Sequence, residues 1–293
     1  MTLLDKFSRP LSDLRISITD KCNFRCVYCM PKEIFGSNYQ YLPKSEMLTY
    51  EEIDRLVTIM MEFGVSKVRI TGGEPLLRND VDKLISMLSS KPGLDLTLTT
   101  NGAFLTEDKS HSLVDAGLHR ITVSLDSLDN EVFNKINDVN FSVDNVLTGI
   151  ANASAVGLNP IKINMVVMRT VNLSSVVPMA LYFKDQGHIV RFIEYMDVGD
   201  TNGWKLDEVV PSAEIIRLIG DQSPLEPIPP NYPGEVASRW RYLDGAGEIG
   251  VISSVTQPFC GNCSRLRLSA KGELFTCLFA SSGHDISALL RSQ

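Results

Sequence analysis

The apolar positions of this chain fall into two alternating rhythms. Leu14 to Thr19 alternates with period two and is rich in isoleucine, which predicts a strand. Tyr50 to Phe63 places Ile53, Leu56, Val57, Met60 and Phe63 on one helical face, with Thr49 as N-cap and Glu51 and Glu52 in the first turn. The two signals then repeat. Strands are predicted over Lys67–Thr71, Leu94–Thr99, His119–Leu125, Ile161–Met168 and Ile189–Tyr195. Helices are predicted over Val81–Leu88, Thr106–Ala116, Val143–Val156 and Val176–Gln186, the second and third stopping at Gly117 and Gly157. Six strand–helix units in series imply an α/β fold with parallel strands joined by right-handed crossovers.

The rhythm breaks after Gly220. Residues 221–234 hold five prolines and read as a linker or irregular loop. Short strand-like runs follow over Ser238–Leu243, Ile249–Ser254, Leu266–Ser269 and Leu274–Thr276. The expected organisation is an α/β unit over residues 1–220 and a smaller C-terminal unit over 221–293, in keeping with the length of 293 residues. A composition of 44% hydrophobic and 22% charged residues excludes a disordered chain, a collagen-like repeat and a small disulfide scaffold. No run approaches the ~18 apolar residues of a membrane span. Met1 to Pro10 lacks the apolar stretch of a secretory signal, so a cytoplasmic protein without a membrane partner is expected. The net charge of −7 argues against broad nucleic-acid binding but leaves room for a local basic pocket.

The six cysteines change the picture most. They form two triplets, Cys22-x3-Cys26-x2-Cys29 and Cys260-x2-Cys263-x13-Cys277, with none left over. Clustered cysteines in a cytosolic chain bind metal or do redox chemistry more often than they form disulfides. Structural zinc takes four closed ligands. A 4Fe-4S cluster held by three cysteines keeps one iron open to a small molecule. Zinc remains the alternative, with its fourth ligand from a histidine or the other triplet, although His111, His119, His188 and His284 are all remote in sequence from the first triplet.

Unusual residues follow the predicted strands. The first triplet follows strand one, Gly72-Gly73-Glu74-Pro75 follows strand two, and Thr100-Asn101-Gly102 follows strand three. Ser124-Leu125-Asp126-Ser127 ends strand four, Lys162 lies in strand five and Met196 ends strand six. In parallel barrels the C-terminal strand ends form the active-site mouth, so these signals are expected on one rim.

Cys22-x3-Cys26-x2-Cys29, with Tyr28 before the last cysteine, resembles the signature of radical S-adenosylmethionine (SAM) enzymes, and Gly72-Gly73-Glu74-Pro75 resembles their SAM-binding motif. Phe259-Cys260-Gly-Asn-Cys263-Ser-Arg265-Leu-Arg267, followed by Cys277, is similar to the C-terminal motif of the GTP 3′,8-cyclase family, which begins molybdenum cofactor biosynthesis. Arg15-Ile-Ser-Ile-Thr-Asp, Arg69-Ile-Thr-Gly-Gly-Glu-Pro-Leu, Lys162-Ile-Asn and Arg191-Phe-Ile-Glu-Tyr-Met196 match as well, so the resemblance runs from about residue 8 to 290.

The resemblance implies a partial (β/α)6 TIM-like radical SAM barrel, capped by a C-terminal region with a second 4Fe-4S cluster. Cys22, Cys26 and Cys29 would ligate the SAM cluster. Tyr28, Gly72, Gly73, Glu74, Ser124 and Met196 would bind SAM. Cys260, Cys263 and Cys277 would ligate the second cluster, whose open iron binds the guanine of GTP. Arg15, Arg69, Thr100, Lys162, Arg265 and Arg267 would line the GTP site, the last two also serving the late catalytic stage. Arginine forks suit phosphate oxygens, and lysine acts as a point charge. The implied reaction is one-electron cleavage of SAM, abstraction of the ribose 3′ hydrogen and attack of that carbon on C8 of guanine. Implied partners are a reductase or a ferredoxin- or flavodoxin-type electron donor, and downstream the cyclic pyranopterin monophosphate synthase. The family also tends towards homodimers.

Two departures stand out. The family chain runs further and ends in Gly-Gly, whereas this one stops at Gln293, which reads as a truncated form or a variant that works differently. A Gly-Arg pair is absent near Asn137-Asp138-Val139, which reads as loop variation. Competing expectations are another radical SAM enzyme with an auxiliary cluster, such as a peptide-modifying maturase, a catalytically impaired homologue, and a zinc-stabilised nucleotide-binding protein without turnover.

Overall fold

The computed structural model describes residues 4–198, 203–232 and 234–292, so the chain end at Gln293 lies outside the described residues. Six strands carry the sequence's alternation into a curved wall: β1 (Asp13–Ser17), β2 (Lys67–Thr71), β3 (Asp95–Thr100), β4 (Arg120–Ser124), β5 (Lys162–Val167) and β6 (Ile189–Glu194). Each pairs in parallel with the next. Helices α1 (Tyr50–Glu62), α2 (Val81–Ser89), α3 (Glu107–Asp115), α4 (Asn130–Asn137), α5 (Val143–Ala155) and α6 (Val176–Asp185) fill the crossovers. Strand order follows chain order without reversal, so the sheet coils into an open barrel instead of winding both ways.

Alternation sorts the side chains. In β1, Leu14 and Ile16 are fully buried in the core, while Arg15 between them faces the other side. Val68 and Ile70 do the same around Arg69. The capping box at Thr49 and Glu52 starts α1 as its sequence predicts. Phe63 departs from expectation: it is the C-cap of α1 and exposed, and the buried face is Ile53, Leu56 and Val57.

The C-terminal segment contributes α7 (Ser212–Gly220), β7 (Leu225–Ile228), β8 (Ser238–Tyr242), β9 (Glu248–Ile252), β10 (Arg265–Leu268), β11 (Glu273–Phe275), β12 (His284–Asp285) and α8 (Ser287–Arg291). β9 adds in parallel to β6, and β10 adds in parallel to β1. The six-stranded wall is thereby extended at both edges by strands from the same segment. β7 corrects the expectation of an irregular loop over 221–234. It is the outermost strand of the sheet, where Pro227 can sit because only one edge must be paired. Helices α4 and α7 were not expected either. Asp129 starts α4 by accepting from Glu131 N and Val132 N.

Register decides where the two cysteine triplets lie. Arg265 stands opposite Asp13 and Arg267 opposite Arg15, so β10 begins level with the start of β1. Cys260 and Cys263 precede β10, and Cys277 follows β11, which runs back towards the same end. The first triplet follows the opposite, C-terminal end of β1. The triplets therefore sit at opposite mouths of the barrel, separated by a wall about 16 Å tall at the usual strand rise. Lys162 also leaves the expected rim: it opens β5 and lies near the N-terminal mouth.

Candidate active site

The loop that carries the first triplet is pinned to its surroundings. Phe24 packs edge-on against Phe133 and Phe141, and Arg25 N and Val27 N donate to the carbonyls of Asn137 and Ile136 at the end of α4. The Arg25 guanidinium gathers the carbonyls of Cys22, Phe24 and Phe35. Cys29 N and Met30 N both donate to the Cys26 carbonyl at 2.8 Å, which closes a tight turn through two of the cysteines. Lys32 bonds Asp138 at 2.8 Å, so Asp138 joins this loop to α4.

The glycine motif is built around the same loop. Gly73 N donates to Thr19 O at 2.7 Å and Glu74 N to Lys21 O at 2.8 Å. A Cβ on Gly73 would lie 2.2 Å from Lys21 O, so only glycine permits this backbone approach. The buried Glu74 carboxylate accepts from Leu76 N, Thr100 Oγ1 and Asn101 N. Burial pushes its pKa up to about 7 against the pull of those three donors. Across the mouth, the Tyr28 hydroxyl donates to Asp126 Oδ2 at 2.9 Å, while Asp126 Oδ1 accepts from Val166 N. Burial lifts Asp126 to about 6, and burial together with that carboxylate holds the Tyr28 phenol protonated as the donor.

Inside the barrel lies a cavity of about 370 Å³. Its wall carries seven cationic side chains, Arg9, Arg15, Lys67, Arg69, Arg191, Arg265 and Arg267, against the carboxylates of Asp13 and Glu235. All of Cys260, Cys263 and Cys277 line it too, as does Met196 from the other mouth. Arg15 stands between Arg69 and Arg267 in the register of three adjacent strands. Burial and the neighbouring Arg265 and Arg69 push Arg15 well below its usual pKa. Burial and Arg191 bring Arg69 down to about 10, and burial with Arg191, Arg120, Lys67 and Arg69 brings Lys162 down to about 7. Arginine keeps its charge regardless, so the row is a repulsive surface that a bound polyanion would relieve. Arg15 Nε, Arg267 Nη1 and Asn164 Oδ1 are buried without a partner among the described residues.

The chemistry of the first triplet fits an iron–sulfur cluster. All six cysteines are free. Burial raises Cys22 and Cys26 and lifts Cys29 to about 11, so these thiols need strong positive charge to become thiolates, which a bound metal supplies. Zinc needs four donors about 2.0–2.3 Å from one centre, whereas a cubane spreads its cysteines over separate irons.

Comparison with known proteins agrees. The family model of the Radical SAM superfamily matches residues 16–183, and that of Molybdenum Cofactor Synthesis C matches residues 188–293. A relative from Acidothermus cellulolyticus named GTP 3′,8-cyclase is 56% identical over 98% of this chain and 80% of its own length. One of the same name from Staphylococcus aureus (strain MRSA252) is 46% identical over 98% of this chain and 85% of its own length. This chain belongs to the GTP 3′,8-cyclase family of radical SAM proteins. The fold is shared more widely. Streptococcus suis SuiB bound to S-adenosylmethionine superimposes with a TM-score of 0.69 at 14% identity, covering 93% of this chain and 62% of that one.

Membership in the radical SAM superfamily brings SAM and an iron–sulfur cluster with it. Of the residues expected at the GTP site, Arg15, Arg69, Arg265 and Arg267 come together on the cavity wall. Thr100 does not: it is buried with its hydroxyl on Glu74, and Thr99 faces the cavity in its place. Lys162 acts on the wall cations from β5 without being among the lining residues. Glu74 likewise spends its carboxylate inside the protein, holding the glycine loop to the end of β3. Arg9, Lys67, Asn164 and Arg191 line the cavity and escaped the sequence reading of the site. The signal for Lys67 and Arg191 was their place on strands in phase with Arg69 and Asn164. Arg9 carried none, since it precedes β1 and reaches Cys260 O at 2.6 Å.

Proposed function

We propose that this protein is a GTP 3′,8-cyclase, joining C3′ of the ribose to C8 of guanine in GTP at the start of molybdenum cofactor biosynthesis. The observation that carries the reading is the cavity itself: seven cations in a chain of net charge −7, with the second cysteine triplet on its wall and the first beyond its far mouth. A triphosphate is the ligand such a wall suits.

In this reading Cys22, Cys26 and Cys29 would hold the SAM cluster, and Cys260, Cys263 and Cys277 would hold a second cluster that would supply an iron without a protein ligand for the guanine. When bound, SAM and its cluster supply the one-electron chemistry that removes a hydrogen atom from the ribose. The chain's own residues bind, orient and exclude water. Tyr28, Ser124, Met196 and the backbone of Gly72 and Gly73 contact SAM, while Glu74 fixes that backbone through Thr100 and Asn101. Arg15, Lys67, Arg69 and Arg191 hold the triphosphate, and Lys162 adds positive charge beside them. Arg265 and Arg267, on the strand just past Cys263, serve the late stage beside the second cluster. Arg265 is braced by Asp13 at 3.9 Å and by the Phe259 ring at 5.3 Å. Ile193, Val236, Ala237, Ile252 and Phe279 give the cavity apolar stretches that keep water from a reactive carbon. A reductase or a ferredoxin- or flavodoxin-type protein supplies the electron, and a cyclic pyranopterin monophosphate synthase takes the product onward. We place this chemistry in the cytoplasm, in a homodimer.

The test is anaerobic reconstitution with iron and sulfide, then incubation with SAM and dithionite with and without GTP. GTP-dependent 5′-deoxyadenosine together with a cyclised nucleotide supports the reading. SAM cleavage without such a product removes the substrate assignment. No SAM cleavage from fully iron-loaded protein removes the enzyme reading of this chain.

A further inference from the structure

We propose that Asn101 sets the reduction potential of the first cluster by donating a hydrogen bond from its carboxamide to the Cys22 sulfur. The inference rests on the reading of Cys22, Cys26 and Cys29 as cluster ligands. It concerns a residue that touches the cluster through Cys22 and is therefore a positioning and tuning residue.

The amide is held ready before any cluster is present. Asn101 Oδ1 accepts from Ala103 N at 3.0 Å, and Asn101 Nδ2 donates to Asn23 Oδ1 at 2.8 Å. Those two contacts have opposite polarity, so the amide has one orientation. Its Nδ2 carries two hydrogens. One goes to Asn23, and the other faces Cys22 Sγ at 3.9 Å, within reach of the long contacts sulfur makes. The backbone N of Asn101 is tied to Glu74 Oε2 at 2.7 Å, so the residue cannot swing away from the cysteine loop without breaking the glycine motif. Cys22 Sγ also accepts from Phe24 N at 3.4 Å.

Donors to a ligating sulfur favour the more electron-rich state and raise the potential. A carboxamide donor on Cys22 Sγ thus favours the reduced state of a cluster that must accept an electron. It also joins that cluster to the glycine motif through one residue.

The experiment is an EPR-monitored redox titration of the signal that SAM perturbs, in reconstituted protein carrying Asn101→Asp, Asn101→Ala or Asn23→Ala. The expected result is a more negative midpoint for both Asn101 variants, larger for Asn101→Asp, and a near-native midpoint for Asn23→Ala, which keeps the donor. Native midpoints in both Asn101 variants at full iron content would overturn the proposal. Absence of any SAM-perturbed signal in native protein would instead count against the cluster reading itself.

Discussion

Gly250 lies opposite Arg191 across the β6–β9 ladder, and a Cβ on Gly250 would stand 3.3 Å from Arg191 Cγ and 3.2 Å from Ala237 Cβ. The bare backbone of β9 is what lets the Arg191 side chain lie against the wall and reach the cavity, 3.7 Å from Glu235. Gly250→Ala should displace that guanidinium slightly, and Gly250→Val should displace it fully. The expected outcome is graded weakening of GTP binding, reaching about tenfold for valine, ~1.4 kcal/mol. Equilibrium binding of GTP by calorimetry checks it. Unchanged affinity in Gly250→Val would show that Arg191 does not hold the substrate.

The barrel was legible because its strands obey one rule: apolar residues outward beneath helices, polar residues inward. Leu14, Arg15 and Ile16 show it in three consecutive positions. The cysteine spacings and the glycine motif were legible because both are local. What stayed hidden was non-local. Nothing in the order of residues states that β10 pairs with β1 in parallel, yet that pairing sends the second triplet to the far mouth and sets Arg267 beside Arg15. Pro227 concealed β7, because proline signals a loop unless the strand is known to be an edge. Thr100 is ambiguous in sequence for a similar reason: its hydroxyl could serve a ligand or a buried carboxylate, and in this structure it donates to Glu74.

Gly73 offers a sharper test of the glycine loop. A methyl group there would press into the Lys21 carbonyl at 2.2 Å, and backbone cannot yield as a side chain can. Gly73→Ala should therefore push the loop of Cys22 away from the barrel. The expected result is loss of iron from the first triplet, read by iron content and by the SAM-perturbed EPR signal. Full iron loading and normal SAM affinity in this variant would mean the loop tolerates the shift.

Lys162 makes the binding of GTP depend on pH. Burial and its cationic neighbours bring its pKa down to about 7 in the free protein. A bound polyanion favours the charged form, so above pH 7 binding must take up a proton at Lys162. From this group, affinity is level below its pKa and falls as pH rises above 7, by at most about tenfold per pH unit. Free-protein stability responds with the other sign. Between the folded pKa of about 7 and the ordinary value of 10.5 the unfolded chain holds more protons, so stability rises with pH. Calorimetry at pH 8 in two buffers of different ionisation enthalpy should report proton uptake in native protein and none from this site in Lys162→Met. Equal uptake in both would move the titrating group elsewhere.

Glu194 ties the barrel to the C-terminal segment. Its buried carboxylate closes β6 and accepts from Ser212 N and Oγ, Val255 N, and Thr256 N and Oγ1. Burial alone would raise its pKa, but the donors from Thr256, Ser212 and Val255 together hold it below the usual carboxylate value. A folded pKa below the unfolded one gives stability that is present above about pH 4.5 and lost as pH falls through the folded value. Glu194→Gln keeps the shape but turns an amide donor towards donors, which leaves at least one buried N–H or hydroxyl unpaired and costs about 3 kcal/mol. The segment that follows Thr256 carries Cys260 and Cys263, so the loss should first loosen the second triplet. Urea unfolding at pH 7 should show the full deficit in the variant, and at pH 4 the gap to native protein should narrow. A gap that stays constant across that range would assign the cost to packing instead of to the ionised carboxylate.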